Sequence, residues 1–110
     1  MGVRQLKLAD EIRDILGHAF LADRISDPRL SGVTITHVRI TKDLQFATVY
    51  FRLFDQDALT EALKAFEICK GYLKRAIHEQ VKLRRIPDLR FVYDESIDYG
   101  TKVENLLKQT

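Results

Sequence analysis

The apolar residues of this chain switch between helical and strand spacing as the sequence proceeds, and that switching restricts the fold more than any other feature. Near the N-terminus, Leu8, Ile12, Ile15, Leu16 and Ala19 recur at helical intervals, with Arg4, Lys7, Arg13 and Asp14 off the stripe. The spacing predicts an amphipathic helix from about Arg4 to Ala22. Asp27-Pro28-Arg29 stops it, because proline has no amide hydrogen and pushes its predecessor into extended geometry. From Val33 the period is two: Val33 and Ile35, then Val38 and Ile40, with a slip of phase at Thr36 and His37 that predicts a β-bulge. After the polar break Thr41-Lys42-Asp43-Leu44, one face carries Ala47, Val49, Phe51 and Leu53, and the other Thr48, Tyr50 and Arg52. The two runs read as an antiparallel hairpin.

Helical spacing then returns. Asp55-Gln56-Asp57 offers N-cap chemistry ahead of Leu59, Ala62, Leu63 and Phe66, and this helix is expected to reach about Cys69. Gly71 follows, after which Tyr72, Leu73, Ala76, Ile77, Gln80 and Val81 resume the helical pattern up to Pro87. Glycine inside a helix costs about 1 kcal/mol against alanine, so a kink or break is expected there. Leu89, Phe91 and Tyr93 alternate with Arg90 and Val92 as a third strand. Thr101 with Glu104 forms a capping-box signature before Val103, Leu106 and Leu107, predicting a short C-terminal helix at about 101–108. The order is α-β-β-α-α-β. Three strands cannot bury both their faces, and helices interleaved in this order cover one, giving a two-layer α+β fold.

At 110 residues the chain has room for a single domain, expected to span 1–110. With 45% hydrophobic and 31% charged residues it can fold without staples, and its one cysteine, Cys69, can form no internal disulfide. No apolar stretch is long enough for a membrane span, and the first residues lack the hydrophobic core of a secretion signal. Charge is unevenly placed. Between Lys70 and Arg90 seven basic residues face only Glu79 and Asp88, while the whole chain carries a net +2. A polyanion is the natural partner of such a segment.

A helix pair ahead of a last strand is the mark of KH domains, in which a G-x-x-G turn brings backbone close to the phosphates of single-stranded RNA. The order here is that of a type II KH domain, with Cys69-Lys70-Gly71 at the helix junction in place of the tetrapeptide. Asp27-Pro28-Arg29-Leu30, Asp43-Leu44 followed by Ala47, Val49 and Tyr50, then Leu83-Arg84, Ile86-Pro87, Leu89, Phe91, Tyr93-Asp94 and Ser96 together resemble the ribosome-binding factor A family, over almost the whole chain. That family has a KH-like fold in which a kinked Ala-x-Gly replaces the G-x-x-G loop. Cys69 stands where its alanine is expected, keeping a small side chain. The resemblance implies a cytoplasmic, bacterial assembly factor that binds the immature small (30S) ribosomal subunit and its 16S rRNA near the decoding region. It also implies support of rRNA 5′-end maturation, with importance in the cold. The alternative reading is a KH-like protein-interaction module, or a stable ribosomal component without an assembly role.

Candidate RNA-binding residues are Lys70, Gly71, Lys74, Arg75, Lys82, Arg84, Arg85 and Arg90, the helical members sharing one flank while Leu73, Ile77 and Val81 point inward. A glycine kink would let backbone amides approach an anion. Of Tyr50, Tyr72 and Tyr93, Tyr72 beside the kink is the stacking candidate, the others reading as half-buried packing. His18, His37 and His78 lack metal-ligand spacing, and Cys69 without a paired histidine reads as a small buried hydrophobe. Asp94, Glu95 and Asp98, with Asp43, could in principle hold magnesium for phosphodiester cleavage, but caps and turns explain them better. With no phosphate loop, triad or nucleophile elbow, the chain is read as a non-enzyme, and it is separately expected to be a monomer. It is expected to use no cofactor, metal or small-molecule substrate.

Overall fold

The computed structural model describes residues 2–21, 25 and 27–95. Helix α1 (Val3–Leu21) is followed by a 3-10 turn (Pro28–Leu30), strands β1 (Thr34–Ile40) and β2 (Phe46–Arg52), a second 3-10 turn (Gln56–Ala58), helix α2 (Leu59–Gln80) and strand β3 (Asp88–Tyr93). The sheet order is β1-β2-β3, with β1 antiparallel and β3 parallel to the central β2. The predicted bulge is present, a register shift between Ile35 and His37. It resets the phase so that Val38 and Ile40 join the buried face.

Both helices lie on the same side of the sheet, α1 over β1 and α2 toward β3. The stripe read from the sequence, Leu8, Ile12, Ile15, Leu16 and Ala19, packs with Val38, Ile40, Ala47, Val49, Leu73, Ile77 and Leu89. A second cluster joins Leu30, Phe51, Leu53, Ala62, Ala65 and Phe66, and Phe20, Ile35, Cys69 and Phe91 bridge the two. Phe66 is the hub of this second cluster. Its ring stacks on Phe91 at 4.1 Å between centroids, lies 4.7 Å from Phe51, and meets Phe20 edge-on at 5.8 Å. Burying each such side chain stabilises the fold by about 1.5–3 kcal/mol. The result is the two-layer α+β architecture that the periodicities imply, with the KH-like fold that the family resemblance implies.

The helix count differs from expectation. The break or interhelical kink expected at Gly71 does not divide the structure: α2 is helical without interruption from Leu59 to Gln80, so the order is α-β-β-α-β. Leu73 and Ile77, beyond the glycine, are both fully buried. Their burial outweighs the helix-propensity cost of about 1 kcal/mol for one glycine. Gly71 has no positive φ, and a Cβ there would meet nothing within 4 Å. The C-terminal helix expected at 101–108 lies outside the described residues.

Two aspartates close the connections. Asp27 Oδ1 accepts from the backbone N–H of Arg29, and the Arg29 guanidinium donates to both carboxylate oxygens at 3.0 and 2.7 Å. The Arg29 side chain first, then its N–H, holds the Asp27 carboxyl below its ordinary range. In the hairpin, Asp43 Oδ1 accepts from the Thr41 hydroxyl and the Gln45 N–H, which likewise lower its pKa. This turn places Leu44 at φ 62, a left-handed conformation uncommon for a non-glycine residue.

Candidate nucleic-acid interface

The cations proposed from the sequence fall into three groups. Lys70 and Lys74 lie on the flank of α2, between its buried inner face and solvent. Lys70 Nζ is 3.0 Å from Glu67 Oε1, one turn earlier, and its side chain is only 21% exposed. Lys74 Nζ is 3.8 Å from Asp88 Oδ1 at the start of β3. Both are therefore partly neutralised within the protein. Arg75 is exposed further round the same helix.

The second group is Lys82, Arg84 and Arg85, all exposed in the segment joining α2 to β3. Val81 leaves the helix in extended geometry while its N–H still reaches Ile77 O at 2.8 Å, and Asp88 N–H donates to Gln45 O at 2.8 Å. These anchors hold the segment against the start of β2. The charge of Arg85 adds the last-ranked contribution to the lowering of the Asp43 pKa, behind the hydrogen bonds from Thr41 and Gln45. Arg75, Lys82, Arg84 and Arg85 form no ion pair among the described residues, so their charge is directed to solvent.

Arg90 stands apart from both groups. Along β3, Leu89 and Phe91 turn toward the helices and Arg90 turns the other way. Its guanidinium lies 3.9 Å from the Phe46 ring centroid, on the side of the sheet no described helix covers. The sheet thus separates it from the α2 flank. Gly71 is exposed on α2, but its amide lies inside a continuous helix, where backbone N–H groups bond the carbonyl four residues earlier. The anion approach expected of a kink is absent. Tyr72 is 41% exposed, one turn after Ile68, which is also exposed.

Of the acidic candidates, Asp43 and Asp94 have structural partners. Asp94 N–H extends the β2–β3 ladder to Phe51 O, its carbonyl accepts from Arg52 at 2.6 Å, and its carboxylate accepts from the Thr36 hydroxyl. Asp98 lies outside the described residues. No group of three His, Cys, Asp or Glu side chains able to hold a metal ion occurs among the described residues. Cys69 is half-buried, with its thiol pKa raised chiefly by burial, so it stays protonated at neutral pH. No described helix is long and apolar enough to cross a membrane.

Comparison with known proteins matches this architecture to one family. Residues 4–107 match the family described as ribosome-binding factor A. A ribosome-binding factor A from Desulfatibacillum aliphaticivorans is 40% identical over 107 residues, covering 96% of this chain and 86% of that protein. The crystal structure of ribosome-binding factor A from Thermus thermophilus superposes with a TM-score of 0.71 at 29% identity, covering 81% of this chain and 94% of that one. A homology model of the Thermus thermophilus factor, fitted into a cryo-EM map of a 30S complex, gives 0.66 at 29% identity over 79% of this chain and 91% of that one. Since the sequence match runs nearly end to end and the fold agrees with it, this chain belongs to the ribosome-binding factor A family.

Proposed function

We propose that this protein is a cytoplasmic, monomeric assembly factor, folded as one domain, that binds the immature small ribosomal subunit and its rRNA. Family membership carries this reading, supported by the structural likeness to a factor fitted into the map of a 30S complex. The surface that would meet rRNA is the α2 flank and the segment after it, where Arg75, Lys82, Arg84 and Arg85 direct unpaired charge outward and Lys70 and Lys74 extend the track. Counterion release from rRNA phosphates would supply most of the affinity and make it fall steeply with salt. Any support of 5′-end processing, including in the cold, would act by occupancy. A bound factor shifts RNA toward the conformation it prefers, and a separate nuclease cuts.

Co-sedimentation with small subunits from normal and assembly-stressed cells tests the reading. The protein should accompany the immature particles preferentially, and joint reversal of Lys82, Arg84 and Arg85 to glutamate should lower binding by about tenfold or more at moderate salt, without a change in melting temperature. Unchanged co-sedimentation of that variant removes the assignment of this surface. Purified protein incubated with precursor rRNA and magnesium alone should leave the 5′ ends intact. Shortened ends would show that the protein itself cuts.

A further inference from the structure

We propose that the face of the sheet left open among the described residues is a second RNA surface, a platform on which unpaired bases stack between arginine-bound phosphates. This inference rests on the reading of the protein as an RNA-binding factor but uses different residues. Phe46, Thr48, Tyr50 and Arg52 of β2 turn away from the core, each half-buried, while Ala47, Val49 and Phe51 between them are fully buried. The strand register arranges their neighbours in rows. Arg39 of β1 and Arg90 of β3 flank Thr48, and one step along, His37 and Val92 flank Tyr50.

The first row sets two guanidiniums on either side of a small hydroxyl residue. With neighbouring strands about 4.8 Å apart, the two arginine backbones lie roughly 10 Å from each other. No carboxylate belongs to this row. The Arg90 guanidinium carbon lies over the Phe46 ring, 3.9 Å from its centroid, and a guanidinium so placed still has N–H groups to offer a phosphate. The second row offers rings: the His37 and Tyr50 centroids are 5.8 Å apart and their planes differ by 30°. Two shallow depressions, of about 670 and 360 Å³, both include His37, Arg39 and Tyr50 in their walls. Arg52 is committed elsewhere, donating to Asp94 O and lying 5.2 Å from the Tyr93 ring. Asp94 borders the smaller depression with its carboxylate engaged by Thr36.

Alternating guanidinium and ring surfaces fit the alternating phosphate and base of a single strand. Paired bases present no open π-face, so a duplex does not satisfy the ring row. A protein partner would need a larger apolar centre than Tyr50 and Val92 provide on this face.

The test uses the intact protein and an unstructured, fluorescein-labelled RNA of about eight nucleotides, within the usual site size of a single-strand binder. Polarisation should show binding that weakens about tenfold in Tyr50→Ala and stays within about twofold in Tyr50→Phe, since the ring carries the stacking. Joint replacement of Arg39 and Arg90 by glutamate, at exposed positions that contribute little to folding, should weaken it further and flatten its salt dependence. A fully abasic strand of equal length, or the corresponding duplex, should bind at least about tenfold more weakly than the single strand. Wild-type affinity in both the Tyr50→Ala and the double arginine variants overturns the proposal, as does equal binding of the abasic strand. Loss of small-subunit binding in Tyr50→Ala with unchanged RNA binding overturns it too, in favour of a protein contact. None of these results bears on co-sedimentation of the Lys82, Arg84 and Arg85 variant, so the two surfaces fail or stand separately.

Discussion

The two faces of the same three strands have opposite characters. Toward the helices, β2 presents Ala47, Val49 and Phe51 with no solvent exposure, and Phe66 and Leu73 close over them. Away from the helices the same strand presents Phe46, Thr48, Tyr50 and Arg52, half-buried by their neighbours. Strand alternation forces this division, because successive side chains leave the backbone on opposite sides. The comparison teaches that the covered face bears the stability, leaving the other face chemically free. An exposed arginine there contributes little to folding, so its role has to be sought in what it contacts.

Paired truncations test that division most severely. Phe66→Ala removes the hub of the aromatic cluster and should cost about 3–5 kcal/mol in denaturant unfolding. Tyr50→Ala, losing one exposed ring contact to His37, should cost about 1 kcal/mol. Similar losses from the two would erase the distinction between the faces. Gly71→Ala adds a methyl group into open space on an exposed helical position and should stabilise the protein by about 1 kcal/mol, raising Tm by several degrees. A loss of stability there would mean that α2 needs its glycine.

Tyr93 lies at the border of the comparison. Its side chain meets Phe51 on the covered side, and its hydroxyl is buried without a hydrogen-bond partner among the described residues. Tyr93→Phe should therefore be neutral or gain up to about 1 kcal/mol by thermal melting. The smallest effect is on pH dependence. Asp27 secures the turn that delivers Leu30 to the covered face, and its pKa lies below the ordinary 3.8. Its contribution is complete above that ordinary value and is lost as pH falls through the folded-state value. Melting curves of Asp27→Asn should show a lower Tm near neutrality and a flatter acid limb than wild type.

Most of the framework was legible because single-element patterns carried it. The α1 stripe, the bulge near Thr36, the hairpin and the alternation of β3 each depend on residues close in sequence. The continuity of α2 was not legible. It depends on Leu73 and Ile77 finding the sheet, a tertiary gain that local propensity does not contain. The same limit holds for the candidate interface. The density of charge from Lys70 to Arg90 is visible in the chain, but the pairing of Lys74 with Asp88 and the turning of Arg90 to the other face follow from the fold. The Arg39–Thr48–Arg90 row was invisible because its members come from three strands. The signal that pointed toward it was the second set of alternating residues in β2, Thr48, Tyr50 and Arg52, which belong to no core.

The central strand is joined to its two neighbours by very different lengths of chain. The β1–β2 hairpin closes through a five-residue connection from Thr41 to Gln45, whereas β3 can pair with β2 only after all of α2 has crossed over. Hairpins form within microseconds, while pairings distant in sequence must first meet the entropy of closing a long loop. The hairpin by itself would display His37, Arg39 and Tyr50 with no Arg90 beside Thr48. Strand β3 follows the helix whose flank carries Lys70 and Lys74, so both charged surfaces depend on the same pairing between residues far apart in sequence.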